Sequence, residues 1–70
     1  MTTNIIIANR RWADVQVGDV VRDPRWRWQR WETITKIEHN NNHTEAWYRE
    51  HSARGYPTGS LELVEVQVPA

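Results

Sequence analysis

The chain has seventy residues, five of them Trp, with no Phe, no Cys and a formal net charge of zero. One domain with a thin core is all that this length supports, and the absence of Cys excludes disulfides and Cys-based zinc sites. Zero net charge argues against coating nucleic acid by bulk charge. No apolar run reaches the ~20 residues of a membrane span, and Met1-Thr2-Thr3-Asn4-Ile5-Ile6-Ile7 has neither the charged start nor the long apolar stretch of a signal peptide.

In chain order, Ile5-Ile6-Ile7 is short and β-branched, and reads as an edge strand or an arm docked on the domain. Residues 10–14 read as a connector. In Val15-Gln16-Val17-Gly18-Asp19-Val20-Val21, the two outer valines of the first trio face the same way when extended, Gly18-Asp19 permits a tight turn, and Val20-Val21-Arg22 starts a strand. Asp23-Pro24 ends that strand, because Pro has no N–H to give a ladder.

Trp31 to His39 is rich in Thr and Ile and reads as a strand. Ile34 and Ile37 stand three apart, so a bulge near Thr35-Lys36 is expected to turn both inward. Asn40-Asn41-Asn42 is a hairpin loop, since Asn tolerates left-handed backbone. Thr44 to Glu50 is the return strand, with Tyr48 in phase with Ala46, and Trp47 in phase with Glu45 and Arg49. Ser52 to Gly59 reads as a second turn region. Leu61 and Leu63 alternate in one phase, Val64, Val66 and Val68 in the other. A jog or short 3₁₀ turn near Leu63-Val64 accounts for the switch. The expected fold is all-β: about five short antiparallel strands with one long Arg/Trp-rich loop. Residues 1–12 form the arm or edge strand, and residues 13–70 the main body.

The Val15 to Val21 segment, Trp31 to Ile37, and Leu63-Val64-Glu65-Val66 together resemble an SH3-like small β-barrel, over roughly residues 13–68. The Val-Gly-Asp-x-Val piece recurs in KOW and Tudor modules, and also in OB-folds. The Arg- and Trp-rich composition and small size also resemble orphan accessory proteins of phages that infect actinobacteria. Such resemblance implies a barrel and is nearly silent on function.

The candidate site is the segment Arg22 to Trp31, which carries four Arg and three Trp against one Asp, a local charge of +3. Residues 1–35 as a whole carry +2, and residues 36–70 carry −2. If the segment is extended, Trp26 and Trp28 share one face, with Arg25 and Arg27 on the other. Indoles beside guanidinium groups suit protein hot spots, and they equally suit stacking on unpaired bases. Trp31 is expected in the core, and Trp26 or Trp28 at the surface. The SH3-like resemblance implies that Tyr56, beside Pro57, joins Trp28 in lining a ligand groove. The binding residues expected are therefore Arg25, Trp26, Arg27, Trp28, Arg30 and Tyr56. The acidic loop of proline-peptide binders is replaced by a basic one, which favours an acidic or phosphate-bearing partner.

His39, His43 and His51 could be read as a metal set: His39 and His43 flank the Asn loop and are expected across the hairpin from each other, where Glu38 or Glu45 could join them on zinc, but no second-shell pattern or close third ligand supports a site. Ser52 and Ser60 lie in no nucleophile-elbow motif, and Glu62 and Glu65 read as solvent-facing charges. There is no Gly-rich phosphate loop. The sequence thus points to a cytoplasmic, non-catalytic module with no cofactor and no membrane partner. A protein partner comes first, nucleic acid is the alternative, and a homodimer through an exposed Trp patch and free strand edges is the third option.

Overall fold

The computed structural model describes residues 4–48 and 54–69. The described residues form seven strands: β1 (Ile5–Arg11), β2 (Val20–Arg22), β3 (Glu32–Thr33), β4 (Lys36–Asn40), β5 (His43–Trp47), β6 (Tyr56–Gly59) and β7 (Leu63–Pro69). A single 3₁₀ turn, Trp12–Asp14, follows β1, and the described residues contain no α-helix. All strand pairs are antiparallel. They form two sheets, ordered β1-β7-β2-β3 and β4-β5-β6, rather than one closed barrel of five strands.

The chain crosses between the sheets at two places. Ile34-Thr35 separates β3 from β4. Ile34 is held by a reciprocal pair of backbone bonds, Ile34 N to Asp19 O at 2.9 Å and Gly18 N to Ile34 O at 2.8 Å. The expected bulge is thus a full change of sheet, and it does turn Ile34 into the core with Ile37 packed against it. The second crossing is the turn at Ser60–Glu62, closed by Glu62 N to Gly59 O at 3.1 Å. It sets the phase of β7, so that Val64 and Val66 are buried while Leu63 is exposed.

Local chemistry explains the first turn. Gly18 has φ +95°, a left-handed value that favours Gly, and Asp19 Oδ2 accepts the Gln16 N–H at 2.8 Å. Val15 is fully buried, but Val17 is 60% exposed, because the turn begins before the alternation expected of an extended Val15-Gln16-Val17 can continue.

Among the described residues eight form the core: Trp12, Val15, Val21, Trp26, Ile34, Ala46, Val64 and Val66. Three expectations change here. Trp12 is no connector residue. The 3₁₀ turn, tied down by Trp12 N to Glu62 O at 3.0 Å and Ala13 N to Ser60 O at 2.9 Å, drives its indole into the centre. Trp31 is only partly buried, on the outside, where the Arg22 guanidinium covers its ring at 4.6 Å. Residues 56–59, expected as turn, are strand β6, because Tyr56 to Gly59 find backbone partners in β5.

Alternation on β5 follows the expected phase. Thr44 and Ala46 are buried, Tyr48 just beyond them packs on the core, and Trp47 lies on the other face under Lys36 at 4.6 Å. Buried Thr44 Oγ1 shares a hydrogen bond with Ser60 Oγ at 2.8 Å, which satisfies both hydroxyls. The hairpin register pairs His39 with Thr44 and Asn40 with His43, so the two histidines do not face each other. His39 lies within hydrogen-bond distance of Val15 O at 3.1 Å and Thr44 Oγ1 at 3.2 Å. Among the described residues no three metal-ligating side chains gather, and His51 lies outside them.

Candidate binding site

The Arg/Trp segment folds back on itself. Asp23 opens a turn closed by Trp26 N to Asp23 O at 3.0 Å. Asp at the first position and Pro at the second suit this turn, since Asp bonds its own backbone and Pro presets φ. Gln29 has φ +45° and reaches back with its side-chain amide to the carbonyls of Asp23, at 3.1 Å, and of Trp26. The long loop is thereby stitched shut on its inner side.

Folding back carries Trp26 inside. Its ring meets Trp12 at 6.4 Å, Tyr56 at 5.5 Å and Tyr48 at 4.9 Å between centroids. Trp28 stacks on the outer side of Trp26, with centroids 5.2 Å apart and planes 18° from parallel, and remains 40% exposed. The shared face expected for Trp26 and Trp28 therefore exists as a ring stack rather than along an extended strand. Trp28 is the exposed member of the pair. Trp26 supports it from below and offers no surface of its own. The Trp26 indole N–H is buried and meets no acceptor at hydrogen-bonding geometry.

Beneath the stack lies a buried polar cluster centred on Asp23. Asp23, expected only to end a strand, is fully buried and acts as the hub. Its carboxylate accepts the Trp12 indole N–H at 3.1 Å, the Arg25 backbone N–H at 2.8 Å, Arg25 Nε at 3.0 Å and Nη2 at 2.7 Å, and the Tyr56 hydroxyl at 3.2 Å. Arg25 Nη2 also donates to buried Thr58 Oγ1 at 2.7 Å. Burial pushes the Asp23 carboxyl up, but the Arg25 and Trp12 donors and the Arg25 charge outweigh it and hold the group below the usual Asp value. Burial, and then the Asp23 charge, raise the Tyr56 hydroxyl above the usual Tyr value.

Of the expected binding residues, Arg25 is paired with Asp23, and Tyr56 donates its hydroxyl to the same carboxylate. Arg22 is likewise committed, to Glu65 at 3.2 Å. Of the four arginines in the segment, Arg27 and Arg30 are exposed and form no ion pair among the described residues. The surface that remains is an exposed indole on a braced aromatic stack, with Tyr48 beside it at 6.1 Å and two solvent-facing guanidinium groups on the same loop. The signal for the hub was present in the sequence as Asp-Pro-Arg, a turn whose opening carboxylate is one residue removed from its cation. Nothing local shows that Trp12 and Tyr56 converge on it from 11 and 33 residues away.

Comparison with known proteins gives no family: no family model, no curated protein and no solved structure matches this chain.

Proposed function

We propose that this chain is a non-catalytic binding module of the SH3-like kind that engages a protein partner through Trp28, with Arg27 and Arg30 on the same loop. The observation that carries the proposal is the braced exposure of Trp28: an indole 40% open to solvent, stacked on a buried Trp26. Neighbours hold that ring in place before any partner arrives, so little side-chain entropy remains to be lost on binding. Trp and Arg are the residue types that dominate hot spots. The SH3-like reading draws support from the bent β3–β4 segment, the turn ahead of β7 and the central place of β7 between β1 and β2.

Protein is favoured over nucleic acid because two of the four arginines in the Arg22 to Trp31 segment are committed to carboxylates within the fold. The second reading, single-stranded nucleic acid, rests on exposed Arg27 and Arg30 in the same loop as an exposed stacking ring. Capture on the immobilised full chain from lysate of the source cells, with and without nuclease, separates the two. A protein retained after nuclease treatment and lost with Trp28→Ala supports the proposal. Capture that disappears with nuclease, or that falls steeply with salt as phosphate contacts do, favours the second reading. Capture unchanged by Trp28→Ala overturns both.

A further inference from the structure

We infer that β1 is a self-association edge, pairing antiparallel with β1 of a second copy of this chain about a two-fold axis at Ala8. β1 is the outermost strand of its sheet, with β7 on one side and no described strand on the other. Its outer row of N–H and C=O groups is therefore a template for another strand. The strand is seven residues long, and six of the seven are exposed. Ile5, Ile6 and Ile7 stand 55%, 53% and 57% exposed in one consecutive run, so neither sheet face is covered there. Native edges are usually protected by charge, Pro or a bulge. Here Arg10 and Arg11 guard only the far end.

Strand geometry selects the register. Backbone N–H groups alternate between the two sides of a strand, so two outward-facing edges pair only residues of the same parity. Within that restriction, one two-fold register pairs all seven residues: Ile5 with Arg11, Ile6 with Arg10, Ile7 with Asn9 and Ala8 with itself. It places each isoleucine-rich half against the other copy's arginine-bearing half. The arginine stems then cover the isoleucines, and no arginine stands opposite another. Shifting the centre to Arg10 would set like charges face to face. The product is a continuous sheet running β3-β2-β7-β1 in one copy and the reverse in the other. Being isologous, the contact closes on itself and does not propagate into fibres.

The test uses the full chain and single-Cys variants, made practical because the sequence has no other Cys. Opposed residues of an antiparallel pair lie about 4.5–5.5 Å apart at Cα, within the range a disulfide spans. Ala8→Cys on the axis should therefore oxidise rapidly to a covalent dimer. Ile5→Cys is displaced by six residues from its mate, about 20 Å at the strand rise, and should cross-link at least tenfold more slowly. Sedimentation of the unmodified chain from micromolar to millimolar concentration should show its mass double. A monomer throughout that range overturns the assignment and leaves the edge to a foreign strand. A dimer whose two Cys variants cross-link at equal rates overturns it as well, and places the contact elsewhere, the Trp28 surface included.

Discussion

Asp23→Ala is the substitution on which the account of this fold depends most. It removes a carboxylate that accepts five hydrogen bonds: one from Trp12, three from Arg25 and one from Tyr56. Three costs follow. The Trp12 indole N–H, in a fully buried residue, loses its acceptor, which costs about 1–3 kcal/mol for an unsatisfied buried donor. Tyr56 is partly buried and can turn its hydroxyl toward water, so its loss is smaller. Breaking a buried ion pair costs about 3–5 kcal/mol when the remaining charge stays buried. The Arg25 side chain is 45% exposed and can rehydrate, so most of that figure does not apply. The sum is roughly 2–5 kcal/mol. A domain of this length has a stability of roughly 3–10 kcal/mol at the usual value per residue. Asp23→Ala should therefore bring the protein close to the unfolding threshold. Urea titration followed by Trp fluorescence measures the loss directly, and Asp23→Asn serves as a partner variant that keeps shape and removes charge. A loss below about 1 kcal/mol for Asp23→Ala would refute the hub, and with it the reason Trp26 is held under Trp28.

Four further outcomes are expected. Trp12→Ala should destabilise by about 3–5 kcal/mol as a core truncation, whereas Trp31→Ala, on the outside beneath Arg22, should cost under about 1.5 kcal/mol; melting curves of the two variants compare them. Ile34→Ala and Val66→Ala should each cost about 2–4 kcal/mol, and wild-type melting of either would place the core face elsewhere. Because the folded Asp23 carboxyl lies below its ordinary value, its contribution is present above about pH 3.9 and is lost as pH falls from there through the folded value; acid titration of stability should lose this limb in Asp23→Asn. Trp28→Ala should leave the protein folded, at a stability cost of about 0.5–1.5 kcal/mol or somewhat more for the lost ring stack on Trp26, while weakening partner capture about thirtyfold, the equivalent of about 2 kcal/mol.

The sequence alone determined those features whose causes lie within a few residues. Gly18-Asp19 makes the turn because the backbone there needs positive φ and a side-chain acceptor, both supplied locally. The alternation of Thr44, Ala46 and Tyr48, and of Val64 and Val66, sets which face of each strand turns inward, because side chains alternate along any extended backbone. The sequence placed one of Trp26 and Trp28 at the surface without choosing between them. Tertiary structure decided the rest. Trp12 and Trp31 each stand beside arginines on the chain, and their indoles are alike in size and polarity, so composition could not say which one enters the core. The 3₁₀ turn and its backbone bonds to Ser60 and Glu62, almost fifty residues away, sent Trp12 inward. Tyr56 to Gly59 looks like a turn by composition and becomes a strand because β5 offers an edge to pair with. Asp23 looks like a strand terminator. It becomes the hub of the site only when the turn at Pro24 brings back Arg25, and the two sheets deliver Trp12 and Tyr56 to the same carboxylate. A buried charge is stable only where several donors converge on it, and that convergence belongs to the fold rather than to any local stretch of chain.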